Sequence, residues 1–175
     1  MQKYLITSRK SYPNLHKQIQ KHLPQYVLYR DKSNPDYDNQ AQNAVEVCSR
    51  FENVKSFIHQ KVDLAKELNA TGVHLTSKQF SDIEYAKSLG LEVIISTHSH
   101  DEVLKAQTLG ADAVTYSPIF TSPGKGEAKG IDDLNALLGK CDIQVFALGG
   151  VVDALHVESL QETKVFGFAS IRYFY

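Results

Sequence analysis

Imidazoles, basic side chains and paired glycines recur in this sequence at one kind of position, the closing residues of short β-branched or aromatic runs. Those residue types suit proton transfer and the holding of an anion. The run Glu92 to Thr97 leads into His98, Ser99 and His100, and an imidazole at such a strand end can take and return a proton near neutral pH. Structural hydrogen bonding explains His98 equally well from position alone. Ser99, with Glu102 three residues on, has the spacing of a helix capping box, and His100 reads as a helix-surface residue. After the run Tyr26 to Arg30 stand Asp31 and Lys32. Arg30 falls in the strand phase that can point inward and offers a fork to phosphate or carboxylate; a solvated charge cluster is the alternative.

Three further segments carry anion chemistry. Residues 117–130, SPIFTSPGKGEAKG, form the one long Gly/Pro-rich stretch, a loop in which Ser122 and Lys125 supply hydroxyl and ammonium donors. Its order is not that of a P-loop, so it gives no support for a nucleotide triphosphate. Gly149 and Gly150 close another apolar run, with Asp153 placed to cap a short helix; glycines let phosphate approach backbone N–H groups at a helix start. Ser170 and Arg172 follow the final run. Neither His59 nor His74 has metal-ligand spacing or a paired carboxylate, and His74, inside an apolar strand, reads first as a satisfied core histidine.

The elements that must position these residues are eight short strands: KYLIT near the start, Tyr26 to Arg30, Val54 to Ile58, Gly72 to Leu75, Glu92 to Thr97, Ala113 to Ser117, Gln144 to Gly149 and Val165 to Ala169. Between them run segments of helical period, such as Val62, Leu64, Ala65 and Leu68, or Val103, Ala106 and Leu109. Gly90 and Gly110 each follow a helical stretch and suit its C-terminal cap. Alternation of this kind makes a parallel sheet, and eight strands close a barrel. The expectation is an α/β protein, a compact (β/α)8 TIM barrel of one domain over residues 1–175, lacking a normal final helix because the sequence ends soon after the eighth strand. In such barrels the C-terminal strand ends bind ligands, and the loops after strands seven and eight commonly hold phosphate. The aromatics Phe166, Phe168, Tyr173, Phe174 and Tyr175 either complete the barrel's own core or await a covering partner, such as a homodimer mate.

Composition narrows the partners. A formal net charge of -1, from 19 basic and 20 acidic residues, gives no reason to expect nucleic acid or an anionic membrane. Cys48 and Cys141 lie far apart without CxxC spacing, so they read as buried thiols of a reducing, cytoplasmic setting rather than a zinc or redox pair.

In order along the chain, YRDK at residues 29–32, VDLAKELNATGVHL at 62–75, STHSHDEVLKAQTLGADAVTYSPIFTSPGKG at 96–126, ALGGV at 147–151 and GFASI at 167–171 resemble the thiamine phosphate synthase/TenI superfamily. The resemblance implies a TIM barrel that binds phosphates of thiamine biosynthesis. Synthase members join hydroxymethylpyrimidine pyrophosphate to thiazole phosphate, with magnesium assisting pyrophosphate departure. By resemblance, Arg30 and Lys32 face pyrophosphate, Ser122 and Lys125 lie in the loop after strand six, Gly150 helps hold thiazole phosphate, with Gly149 and Arg172 beside it in the TenI branch, and Arg172 either strengthens that anion site or fills it. Against the synthase pattern, His59 and Gln60 replace an Asn-Asp pair, HLTSKQ ends in Gln79 where an acid is expected, and Leu28 replaces a glutamine. Losing both acids removes the charges best suited to magnesium. The TenI branch instead aromatises a thiazole carboxylate phosphate by proton relocation, with the histidine matching His98 implicated and no cofactor needed. The expectation is therefore a TenI-like, metal-independent thiazole tautomerase with His98 catalytic. The alternatives are a divergent synthase, which alone would call for magnesium, and a noncatalytic phosphate-ligand-binding homologue.

Overall fold

The computed structural model describes all residues 1–175 and shows a closed barrel of eight parallel strands in sequence order, β1 to β8. The strands are β1 Gln2–Ile6, β2 Tyr26–Tyr29, β3 Lys55–His59, β4 Gly72–Leu75, β5 Glu92–Thr97, β6 Ala113–Tyr116, β7 Gln144–Leu148 and β8 Gly167–Ser170. The helices that connect them are α1 Leu15–His22, α2 Tyr37–Ser49, α3 Val62–Glu67, α4 Ile83–Ser88, α5 His100–Thr108, α6 Gly130–Leu138 and α7 Ala154–Gln161. β8 is followed by a 3-10 turn, Arg172–Phe174. All eight expected strands exist; β4 and β5 keep their expected ends, and the others are displaced by one or two residues. The largest displacement is β8, which starts at Gly167 rather than Val165.

Side chains alternate across each strand, and the alternation sorts the core into two layers. Leu5, Val27, Ile58, Val73, Val93, Val114, Val145 and Phe168 belong to the large cluster beneath the helices. Tyr4, Ile6, Tyr26, Leu28, Phe57, Ile94, Ala113, Phe146 and Ala169 form a second cluster inside the barrel. Carried two residues further, the inward phase reaches Arg30, His59, Ser96 and Gly150.

Size alternation fills the barrel's interior. Gly72 and Gly167 sit on inward positions because neighbouring rings occupy the volume a side chain would need. A Cβ on Gly72 would lie 2.6 Å from the Phe57 ring and 2.1 Å from the Glu92 carbonyl oxygen; on Gly167 it would lie 2.7 Å from Phe146.

Local signals set the helix ends. Ser99 accepts the Glu102 N–H and Asp153 accepts the His156 N–H, while Gly90 and Gly110 take the positive φ of C-terminal caps. On the outer face of β8, Phe168 stacks on Phe174, which also meets His22 of α1. Phe168 and Phe174 are buried, Tyr173 packs against the core and Phe166 packs on the inner cluster. Core completion therefore accounts for all the terminal aromatics except Tyr175, which is exposed. Cys48 is buried as expected, whereas Cys141 is only partly so.

The Gly72→Ala substitution meets backbone on one side and a packed ring on the other. It is expected to cost about 3 kcal/mol, lowering Tm by roughly 6–12 °C in a chain of this size. Thermal unfolding followed by circular dichroism checks this, and an unchanged Tm would show that the packing here is loose.

Candidate functional site

The inward phase of the strands ends in a cavity of about 770 Å³ at their C-terminal ends, a size suited to a small molecule. The sequence-predicted residues Arg30, Lys32, His98, Ser122, Lys125, Gly149, Gly150, Ser170 and Arg172 all line it. Lys78, Ser96, Ser117 and Tyr175 line it too, beyond the residues that the sequence predicts for the site. The two-residue parity could have found Ser96, since it follows Ile94, and Ser117, since it follows Ala113 and Thr115. Tyr175 is brought in by the terminal turn, and its hydroxyl lies 3.1 Å from Ser8 Oγ, a contact no local pattern announces.

One end of the cavity is built from the loops after β7 and β8. Gly149 and Gly150 have φ of +96° and +73°. The backbone N–H groups of Gly149, Gly150, Val151 and Ile171 donate to no protein acceptor. The glycine pair has a reason beyond ligand approach. A Cβ on Gly149 would strike Pro118 at 2.8 Å and one on Gly150 would strike Phe120 at 2.6 Å, so the loop after β6 packs directly on the pair. Hydrogen bonds from Ile119 N to Leu148 O and from Phe120 N to Gly149 O hold the two loops together. Ser170 donates its hydroxyl to the Val151 carbonyl at 2.7 Å and accepts the Tyr173 N–H. It shapes the cup by tying its two loops, and its proton is already committed to protein.

Positive charge gathers on the other side. Lys32 is held below its ordinary pKa chiefly by Arg30, then by burial and by Lys125, so two other cations act on it. His59 is pushed down to about 4, mostly by burial and further by Arg30 and Lys32. No Asp or Glu lines the cavity. Asp31 turns its carboxylate onto the N–H and hydroxyl of Ser33. Gln79 is outside the lining; its side chain bridges Thr76, Gln60 and Asp82.

Two imidazoles are oriented by different means. At His98, Nδ1 lies 3.2 Å from the Ser117 carbonyl oxygen, which can only accept. Ser117 Oγ, 3.3 Å from the same nitrogen, can donate or accept; a proton on Nδ1 serves both contacts and leaves Nε2 a lone pair. Glu102, having given its N–H to Ser99, accepts the backbone N–H of His98 at 2.6 Å, so the helix cap also fixes the strand end that carries the imidazole. His74 has both ring nitrogens bonded, to the Tyr4 hydroxyl and to Ser96 Oγ. Burial, then His59 and Arg30, pushes its pKa down to about 3. His100, expected on the helix surface, is instead half-buried, with Nε2 3.2 Å from an Asp133 oxygen.

A family model described as thiamine monophosphate synthase matches residues 3–174. The chain belongs to the thiamine monophosphate synthase (TMP-TENI) family. Among relatives in that family, thiamine-phosphate synthase of Clostridium tetani is 30% identical over 131 residues, 73% of this chain and 62% of its own length. That of Fusobacterium nucleatum is 29% identical over 160 residues, 85% of this chain and 77% of its own. The putative thiamine-phosphate synthase of Geobacter sulfurreducens is 36% identical over 108 residues, and the match spans only about half of it, 51%. A solved structure of thiamine phosphate pyrophosphorylase from Pyrococcus furiosus superposes with a TM-score of 0.85 at 23% identity, covering 97% of this chain and 85% of that one. It supports the TIM-barrel fold of this family member.

The two buried imidazoles give the fold an acid sensitivity with a definite sign. Unfolded, each binds its proton near pH 6.5; folded, His59 does so only near 4 and His74 near 3. As pH falls below about 6.5 the unfolded state gains protons first, so each histidine removes about 1.4 kcal/mol of stability per pH unit. The loss stops growing at the folded pKa. Urea unfolding at pH 7, 5.5 and 4.5 is expected to show this fall, with His59→Asn shallower by about 1 kcal/mol per unit. Equal slopes in the two proteins would show that His59 is not held neutral.

Proposed function

We propose that this protein acts in thiamine biosynthesis as a TenI-like thiazole tautomerase that needs no divalent metal. The observation that carries this reading is the cavity's donor set: Arg30, Lys32, Lys78, Lys125 and Arg172 line it with no Asp or Glu, beside an imidazole whose Nδ1 faces the carbonyl and hydroxyl of Ser117. Magnesium requires hard, anionic oxygen ligands. Here the residues near the expected metal position are His59, Gln60 and Lys78, and Asp31 and Gln79 are engaged elsewhere. The site does not fit the metal on which synthase chemistry relies.

The donor set does fit an organic dianion. A phosphate ester suits the free N–H groups of the Gly149–Gly150 loop with Arg172 at the rim. A carboxylate suits the Arg30 fork and Lys32. A thiazole carrying both would then lie between them, with His98 beside the ring. His98 Nε2 takes a proton from one carbon of the non-aromatic tautomer and returns it to another, while the ring's π electrons rearrange. The proton count and oxidation state are unchanged, and the Ser117 carbonyl stabilises the imidazolium by accepting from Nδ1–H.

The second reading is a divergent synthase. It draws on the synthase names of the relatives and on the clustering of Arg30, Lys32 and Lys125, which also suits a pyrophosphate.

Turnover of the thiazole carboxylate phosphate tautomer, followed by NMR with magnesium and with EDTA, separates the readings. Conversion is expected in both conditions, falling about 100-fold or more in His98→Ala. Arg172→Ala is expected to weaken phosphate-ester binding. Pyrophosphate release from hydroxymethylpyrimidine pyrophosphate plus thiazole phosphate, only with magnesium, would select the synthase. Ester binding without turnover of either substrate would leave a noncatalytic ligand-binding protein.

A further inference from the structure

Beneath the cationic rim, Tyr4, His74 and Ser96 form a chain of hydrogen bonds from the barrel's interior to the cavity wall. Tyr4 Oη lies 2.9 Å from His74 Nδ1, and His74 Nε2 lies 2.9 Å from Ser96 Oγ. Tyr4 is fully buried, His74 is 3% exposed, and His74 and Ser96 both line the cavity. These residues are not used by the proton transfer assigned to His98.

The chain's polarity follows from counting donors. Tyr4 packs against Tyr26, Phe57 and Phe146, and its hydroxyl has no polar partner other than His74. Burial raises its pKa well above the ordinary phenol value, so it keeps its proton. Were His74 Nδ1 to carry hydrogen, that phenol proton would be buried without an acceptor, at a cost of about 1–3 kcal/mol. The Tyr4 hydroxyl therefore donates to Nδ1. The neutral imidazole carries its hydrogen on Nε2 and donates it to Ser96 Oγ. With Oγ already accepting from His74, the hydroxyl proton of Ser96 is directed away from the ring, and the hydroxyl has no other hydrogen bond to protein.

We infer that Tyr4 and His74 are positioning residues that fix Ser96 as a hydrogen-bond donor in the cavity, so that the ligand must present an acceptor there, such as an unprotonated ring nitrogen or an anionic oxygen. A ring N–H or amino group at that point meets an O–H and is disfavoured. The inference rests on the tautomerase reading only for the identity of a suitable probe, since the proton pattern belongs to the protein alone.

Nitrogen-15 NMR of histidine-labelled protein at neutral pH tests the polarity without any ligand. His74 is expected as the neutral Nε2–H tautomer; an Nδ1–H tautomer or an imidazolium would overturn the inference whatever the enzyme's activity. In Tyr4→Phe the constraint is removed, and a mixture of His74 tautomers is expected, with a several-fold loss of affinity for thiazole phosphate measured by calorimetry. In Ser96→Ala, which leaves the His74–Tyr4 pair in place, affinity for the same probe is expected to fall roughly tenfold, the equivalent of one hydrogen bond. An unchanged affinity in Ser96→Ala would sink the donor role even with the tautomer as expected. Loss of turnover with the tautomer and Ser96 effect intact would instead count against the tautomerase reading alone.

Discussion

Tyr4, Tyr26, Phe57 and Phe146 interlock inside the barrel with ring centroids 5.0 to 5.8 Å apart, and this plug sets the floor on which the cavity stands. Rings of this size fit because Gly72 and Gly167 leave inward positions vacant beside Phe57 and Phe146. Edge-on and tilted contacts add to the burial of each ring. Above the plug, the same inward phase changes from rings to Arg30, His59, His74 and Ser96, and the rest of the charged rim stands in the loops beyond. The barrel is thus apolar below and polar above. The transition takes place within single strands, two residues at a time.

That two-residue step explains what could be read from sequence. Strand existence, order and class follow from β-branched runs alternating with helical period, and Arg30 could be placed inward because Leu28 and Arg30 share a parity. Ser99, Asp153, Gly90 and Gly110 announce their caps by residue type alone, because capping is satisfied within a few residues. The converse holds for contacts that close around the barrel. Tyr4 and His74 are 70 residues apart, and each alone reads as an ordinary core residue. Only the register of the closed sheet brings the phenol to the imidazole.

Glycine meaning was similarly incomplete in one dimension. Gly149 and Gly150 read as space for a phosphate, and positive φ with free N–H groups is consistent with that use. Yet Pro118 and Phe120 press on the same two Cα atoms. The loop after β6, which carries Ser122 and Lys125, is therefore locked to the loop after β7, and a substitution meant to probe anion approach would also displace that neighbour. Ser170 makes the same point from the other side, since its hydroxyl ties β8 to Val151.

The charge pattern gives the remaining step. Five cationic side chains around a cavity without carboxylates repel one another, as the lowered pKa of Lys32 beside Arg30 and Lys125 reflects. Such an arrangement is costly to fold unless the charges stay partly solvated, and Lys32, Lys78, Lys125 and Arg172 are indeed exposed. Arg30 is the exception, with burial lowering its pKa. The rim is thus stable in water but gains most from an anion that replaces the water, and the gain is greatest at Arg30, where desolvation is already partly complete. The same repulsion disfavours a bare divalent cation. An organic dianion would bring two charges on one frame, and its ring would lie over the neutral Tyr4–His74–Ser96 chain, where a dipole of fixed direction, rather than net charge, discriminates between ligand atoms.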